Sequence, residues 1–164
     1  MTRDMLKFVV EHLKDWDPLF QYAGILLIAG IPFAEAIVAT MAGTILELPL
    51  IGVFLLGIVG NLLSVMIIIA PFHALFRWLR NRPNKKSGFV RRRSKRAREI
   101  FDTYGVPGLA LISPLIASGH IAAFTSLAAG TGKRKVILWH TLSIVVYSAV
   151  GLAVGLFLKA RLIE

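Results

Sequence analysis

The residues able to do chemistry are few, and they sit inside apolar stretches. Glu35 is the one formal charge within Leu19–Leu46 and follows Pro32 by three residues. In a bilayer an unpaired carboxylate costs on the order of a few kcal/mol, so such a residue marks a pathway or a buried pair. A carboxyl group that gains and loses a proton there would serve as a coupling group or a cation site. The bland alternative is a protonated carboxyl capping a broken helix. Asn61 lies mid-stretch in Gly60-Asn61-Leu62-Leu63-Ser64. Its amide calls for a hydrogen-bond partner, such as a backbone group freed by a neighbouring broken helix. Ser113, Pro114, Ser118, Gly119 and His120 form a second break. His120 is the counterpart of Glu35, and a Glu–His pair would relay a proton or bind a phosphate headgroup. The competing reading is a histidine bonded to a loose backbone carbonyl. Glu47, just before Pro49, is expected at an interface. His73 and His140 are expected near the cytoplasmic ends.

The elements that must position these residues are membrane elements. Of 164 residues, 56% are hydrophobic, and the mean hydropathy is +0.71. Both exceed what a soluble domain carries. Leu48–Ala70 and Val136–Leu158 are uncharged and fit single spans of about 20 residues. Leu19–Leu46 and Gly105–Gly132 are longer and contain proline. Each reads either as a kinked span or as a re-entrant hairpin.

Charge separates the two readings. The net charge is +10, and 11 of the 19 Lys and Arg lie between Arg77 and Arg98. Lys133, Arg134 and Lys135 form a second cluster. Basic flanks collect on the cytoplasmic side. A crossing at Gly105–Gly132 would put the two clusters on opposite sides; a hairpin keeps both inside.

The expected fold is therefore an all-α integral membrane protein with two full transmembrane helices and two re-entrant hairpins in an inverted repeat. It forms a single domain over 1–164. Residues 1–18 are an interfacial helix, 19–47 hairpin one, 48–76 span one, 77–104 a basic cytoplasmic loop with an amphipathic helix, 105–132 hairpin two and 133–158 span two. The repeat is drawn from Ala36–Thr44 against Ala123–Thr131, with Pro32 and Pro114 as the helix breaks. Such repeats place their site at the broken helices. In the amphipathic helix Ala97, Ile100, Phe101 and Tyr104 share one face. Arg91, Arg92, Arg93, Lys95 and Arg96 are available to anionic headgroups. Small residues at four-residue spacing (Ala39 and Gly43; Ala122, Ser126 and Gly130; Gly151 and Gly155) permit close helix contact, in a compact bundle or a homodimer.

Several classes fall away. Without cysteine there is no disulfide or thiolate chemistry. The four histidines form no close pair, so no metal is expected. No Walker A, GxSxG, HExxH or dinucleotide fingerprint appears, so neither an enzyme nor a cofactor is expected. Few aromatics interleave the arginines, which argues against nucleic acid.

Pro32-Phe33-Ala34-Glu35, Gly60-Asn61-Leu62-Leu63-Ser64, Phe101-Asp102-Thr103-Tyr104-Gly105-Val106-Pro107-Gly108, and Pro114 with Ala128-Ala129-Gly130 resemble the bacterial small multi-drug export protein family. The resemblance covers most of the chain after Leu19. Ile37 stands where members often carry Arg, and Pro114-Leu-Ile-Ala-Ser-Gly-His where they often carry Pro-x-Pro-Gly-Thr-Gly. The layout is also similar to that of the DedA (VTT-domain) membrane proteins. The resemblance implies a multi-pass transporter of the bacterial inner membrane, its substrate a small molecule or a lipid. Three functions stand open: a proton-coupled exporter, a lipid or polyprenyl-phosphate translocase, and a non-transporting scaffold.

Overall fold

The computed structural model describes residues 11, 12, 14–80 and 88–163. Most of the expected N-terminal interfacial helix and the linker 81–87 lie outside the described residues, as does the side chain of Arg91. Among the described residues there is helix and no strand. The helices are α1 (Pro18–Gly30), α2 (Glu35–Ile45), α3 (Leu50–Ile69), α4 (Phe72–Arg80), α5 (Gly88–Ile116), α6 (Gly119–Ala128) and α7 (Lys133–Ile163).

Two of these, Leu50–Ile69 and Lys133–Arg161, are long and apolar enough to cross a bilayer. Their surfaces distinguish a membrane span from the core helix of a soluble protein. Ile51, Leu55, Val59, Leu63 and Ile67 form an exposed apolar stripe along the whole of α3, and Leu138, Leu142, Val146, Val150 and Val154 do so on α7. Meanwhile Glu35, Thr40, Asn61, Ser113, Ser118, His140, Ser143 and Ser148 are buried. Apolar outside and polar inside is the arrangement lipid selects.

The chain divides into two compact units. The first comprises residues 1–61 and 144–164. Asp17 Oδ1 accepts from the Leu19 N–H at 2.8 Å, and Pro18 opens α1, a standard helix start. Ile31-Pro32 ends α1, because the residue before proline is disfavoured in helix. α2 starts at Glu35 and packs against α1. It ends in a Schellman motif: Glu47 takes φ 65°, with Glu47 N–H donating to Thr44 O at 3.1 Å and Leu48 N–H to Gly43 O at 3.1 Å. Ile25, Ala29, Ala39, Leu48 and Val53 form the core of this unit. Gly151 and Gly155 of α7 lie directly against α2. This small-residue stripe is thus used inside one chain.

Glu47 fastens three segments. Its carboxylate lies 2.9 Å from Lys14 Nζ and 3.4 Å from Lys159 Nζ. The Lys14 hydrogen bond, then that of Lys159, holds its carboxyl below the usual range. A depressed folded-state pKa means that the unfolded chain takes up the proton first on acidification. The stabilisation is complete above the ordinary value of 4.5 and is lost as pH falls through the lower, folded value. We therefore expect a small melting-temperature gap between wild type and Glu47→Gln at neutral pH. It should close in acid and shrink in high salt, because the pair is exposed. A gap that persists in acid would show that the pairs contribute nothing.

The second unit comprises Leu62–Ser143. Lys133 Nζ donates to the Ala70 carbonyl at 2.7 Å, satisfying an orphan acceptor at the end of α3. Helix α4 was not anticipated; Phe72 and Phe76 pack their rings on Phe124 of α6. α5 is two helices meeting at a kink, because at Gly105 the backbone turns to φ 66°, ψ −159°, a conformation open to glycine. The basic arm places Ala97 with Leu109, Ala117 and Ala122 in a core flanked by Ile100 and Phe101. Tyr104 departs from the expected face and is exposed, since the chain turns immediately after it. α5 and α6 pack together. α6 also closes with a Schellman motif: Gly130 takes φ 88°, its N–H donates to Leu127 O at 3.0 Å, and Thr131 N–H donates to Ser126 O at 3.1 Å.

Candidate functional site

Each unit carries a broken helix pair with polar side chains at the break. In the first unit the break is Ile31–Ala34. Phe33 adopts φ 76° and Glu35 φ 53°. Side-chain-bearing residues are rare in this region, and such strain gathers at functional positions. Glu35 is 4% exposed. One turn beyond Ala36, Thr40 Oγ1 donates to Ala36 O at 2.8 Å and Ser148 O at 3.1 Å. Asn61 is also buried in this unit, and among the described residues neither its Oδ1 nor the buried Ser148 Oγ finds a hydrogen-bond partner.

In the second unit the break is Ala117–Ser118. Pro114 does not make it. Proline removes the N–H that would bond the Ala110 carbonyl, yet the helix continues to Ile116. The freed carbonyl accepts from Ser143 Oγ at 2.7 Å and Ser113 Oγ at 3.1 Å, so both serines repair the proline gap. Ser143→Ala should then cost about 1 kcal/mol or less in detergent unfolding. Full wild-type stability would show that Ser113 alone satisfies the carbonyl.

Ser118 takes φ 94°, is 1% exposed and caps α6, its Oγ accepting from the His120 N–H at 3.3 Å. The same oxygen lies 3.3 Å from His120 Nδ1, while His120 Nε2 lies 2.6 Å from Ser64 Oγ on α3. Ser64, 56 residues from His120, was not anticipated as its partner, because no local spacing links them. The expected Glu35–His120 pair has one member in each unit. His140 is 2% exposed, with Nδ1 2.9 Å from the Val136 carbonyl. His73 is exposed. On the basic arm Arg92, Lys95 and Arg96 are exposed and Arg93 is half-buried. Lys95 and Arg98 pair along the helix with Glu99 and Asp102. Among the described residues no three His, Asp or Glu side chains gather to hold a metal ion.

Among the described residues the fold is all-helical, with broken helices carrying buried polar groups beside two helices long and apolar enough to cross a membrane. Residues 35–150, more than half of the chain, match the sequence model of the family described as "Putative small multi-drug export protein". The chain belongs to that family. No curated protein and no solved structure matches it.

Proposed function

We propose that the protein exports a small molecule across the bacterial inner membrane, driven by proton movement through Glu35. The carrying observation is Glu35 itself. Among the described residues it is the one buried acidic side chain, set at a strained helix break. A group there can bind a proton on one side and release it on the other.

The topology in this reading is two spans and two re-entrant hairpins. Helices of 13, 11 and 10 residues (α1, α2 and α6) reach about 15–20 Å, short of a bilayer core of about 30 Å. The Lys14–Glu47 pair joins the two ends of the α1–α2 hairpin, as a segment entering and leaving on one face requires. An inverted repeat is supported by a constant offset of 83 residues, which carries Glu35 to Ser118, Glu47 to Gly130 and the start of α3 at Leu50 to that of α7 at Lys133. This register differs by four from the one drawn on Gly43 and Gly130. The basic segments 77–98 and 133–135 then face the cytoplasm.

A second reading is translocation of a phosphate-bearing lipid, as the DedA-like layout implies. It is favoured by the exposed Arg92, Lys95 and Arg96 on an arm packed to the second hairpin.

Two experiments test these readings. Proteoliposomes with an imposed pH gradient should move ethidium, used as a probe, faster than gradient-free vesicles. Scrambling of a labelled anionic lipid instead would favour the second reading. Because the chain has no cysteine, single cysteines at 90 and 133 report sidedness cleanly. Both should label from the cytoplasm, and labelling from opposite sides would remove the hairpins.

A further inference from the structure

The contact between Ser64 and His120 has the form of an activated nucleophile, and export does not require one. We propose that Ser64 is a nucleophilic serine with His120 as its general base, and that it accepts the acyl group of a carboxylic ester lying in the membrane. Three features carry this. First, Ser64 Oγ is 2.6 Å from His120 Nε2, within the reach proton transfer needs. Second, the other ring nitrogen is oriented: Nδ1 faces Ser118 Oγ at 3.3 Å. A hydroxyl oxygen accepting from Nδ1–H leaves the Nε2 lone pair directed at Ser64, the polarity a nucleophile–base pair requires. Third, Ser118 is held at φ 94°. That strained placement fixes the hydroxyl behind the imidazole.

The surroundings choose the substrate class. Ser64 is partly exposed, and the neighbouring Leu63 and Ile67 present apolar side chains outward. An ester with an apolar acyl chain fits that approach; a charged, water-soluble one does not. In the step, Ser64 Oγ attacks the carbonyl carbon as its proton passes to His120 Nε2. The tetrahedral intermediate then collapses, the ester C–O bond breaks, and the leaving oxygen takes the proton from Nε2. The products are acyl-Ser64 and an alcohol, with no change of oxidation state. Ser118 is a positioning residue.

The test uses the full-length protein in detergent with a long-chain alkyl fluorophosphonate, which reacts by the same attack with loss of fluoride. Mass spectrometry should find the phosphonyl group on Ser64 and none in Ser64→Ala. His120→Gln should slow labelling by at least about a hundredfold. Ser118→Ala should slow the bond-forming rate about tenfold, less than loss of the base itself, leaving its dependence on probe concentration unchanged. Ser64→Cys provides a second readout in a chain that otherwise lacks cysteine: its alkylation by iodoacetamide should be faster than in Ser64→Cys/His120→Gln. Wild type labelling no more than Ser64→Ala, or His120→Gln labelling as fast as wild type, would overturn the proposal. Neither outcome bears on ethidium flux, so the export reading is tested separately.

Discussion

Glu35→Gln should abolish the response of ethidium flux to an imposed pH gradient, a loss of at least about tenfold. Gln keeps the shape of Glu and its hydrogen-bonding capacity but cannot carry a titrating proton. If Glu35 merely fills the strained position at the start of α2, Gln fills it equally well and flux is unchanged. That result would sink the coupling role while leaving the fold description intact. Glu35→Asp separates the two effects further. It keeps the proton but shortens the reach, so coupling should survive at reduced rate. Unfolding in detergent should be near wild type for Glu35→Gln, because a neutral amide is easier to bury than a carboxylate.

Gly151→Ala should produce the largest stability loss among small-residue substitutions. A methyl group built at Gly151 would meet Thr40 Oγ1 and the Ile37 carbonyl oxygen. The second is backbone of α2 and cannot rotate away. Overpacking of this kind costs about 1–3 kcal/mol, and the larger Gly151→Val should cost more. Gly155, with the Met41 carbonyl at 2.9 Å and Thr44 Cβ at 2.7 Å, should behave similarly but more mildly. Gly24 is the control: it is helical, with nothing within 4 Å of a built Cβ. Gly24→Ala should be neutral or stabilise by up to about 1 kcal/mol, from helix propensity alone. Thermal unfolding in one detergent checks the order Gly24→Ala, Gly155→Ala, Gly151→Ala, Gly151→Val. Equal melting of Gly24→Ala and Gly151→Ala would refute the close approach of α7 to α2.

What could be read before the structure was whatever depends on local pattern. The two uncharged runs become the two helices long and apolar enough to cross a bilayer, because each holds about 20 apolar residues without interruption. The Ile31–Ala34 break follows from Pro32. The second break did not follow from Pro114, because the freed Ala110 carbonyl finds two serine hydroxyls, one of them 33 residues away; no local rule could anticipate that rescue. Gly105 breaks α5 through its φ, which composition does not disclose. The sequence reads α4 as the end of span one and the start of the basic loop, although Phe72 and Phe76 share a face; their partner Phe124 lies far along the chain. Of the candidate site, Glu35 stands out as a lone charge, and Ser118 and His120 as neighbours in sequence. Ser64 is an ordinary apolar-helix serine until α6 brings an imidazole to it. A repeat drawn on Ala, Gly and Thr rests on residues that match readily by chance, so the sequence pattern alone does not set its register.

Neither long helix belongs to a single unit. α3 passes from the first into the second between Asn61 and Leu62, and α7 returns between Ser143 and Ile144. The two units are joined there by continuous hydrogen-bonded helix, not by loops. Each boundary falls inside hydrogen-bonded helix and not in an exposed loop, so neither is a place where a cut or an insertion should be tolerated.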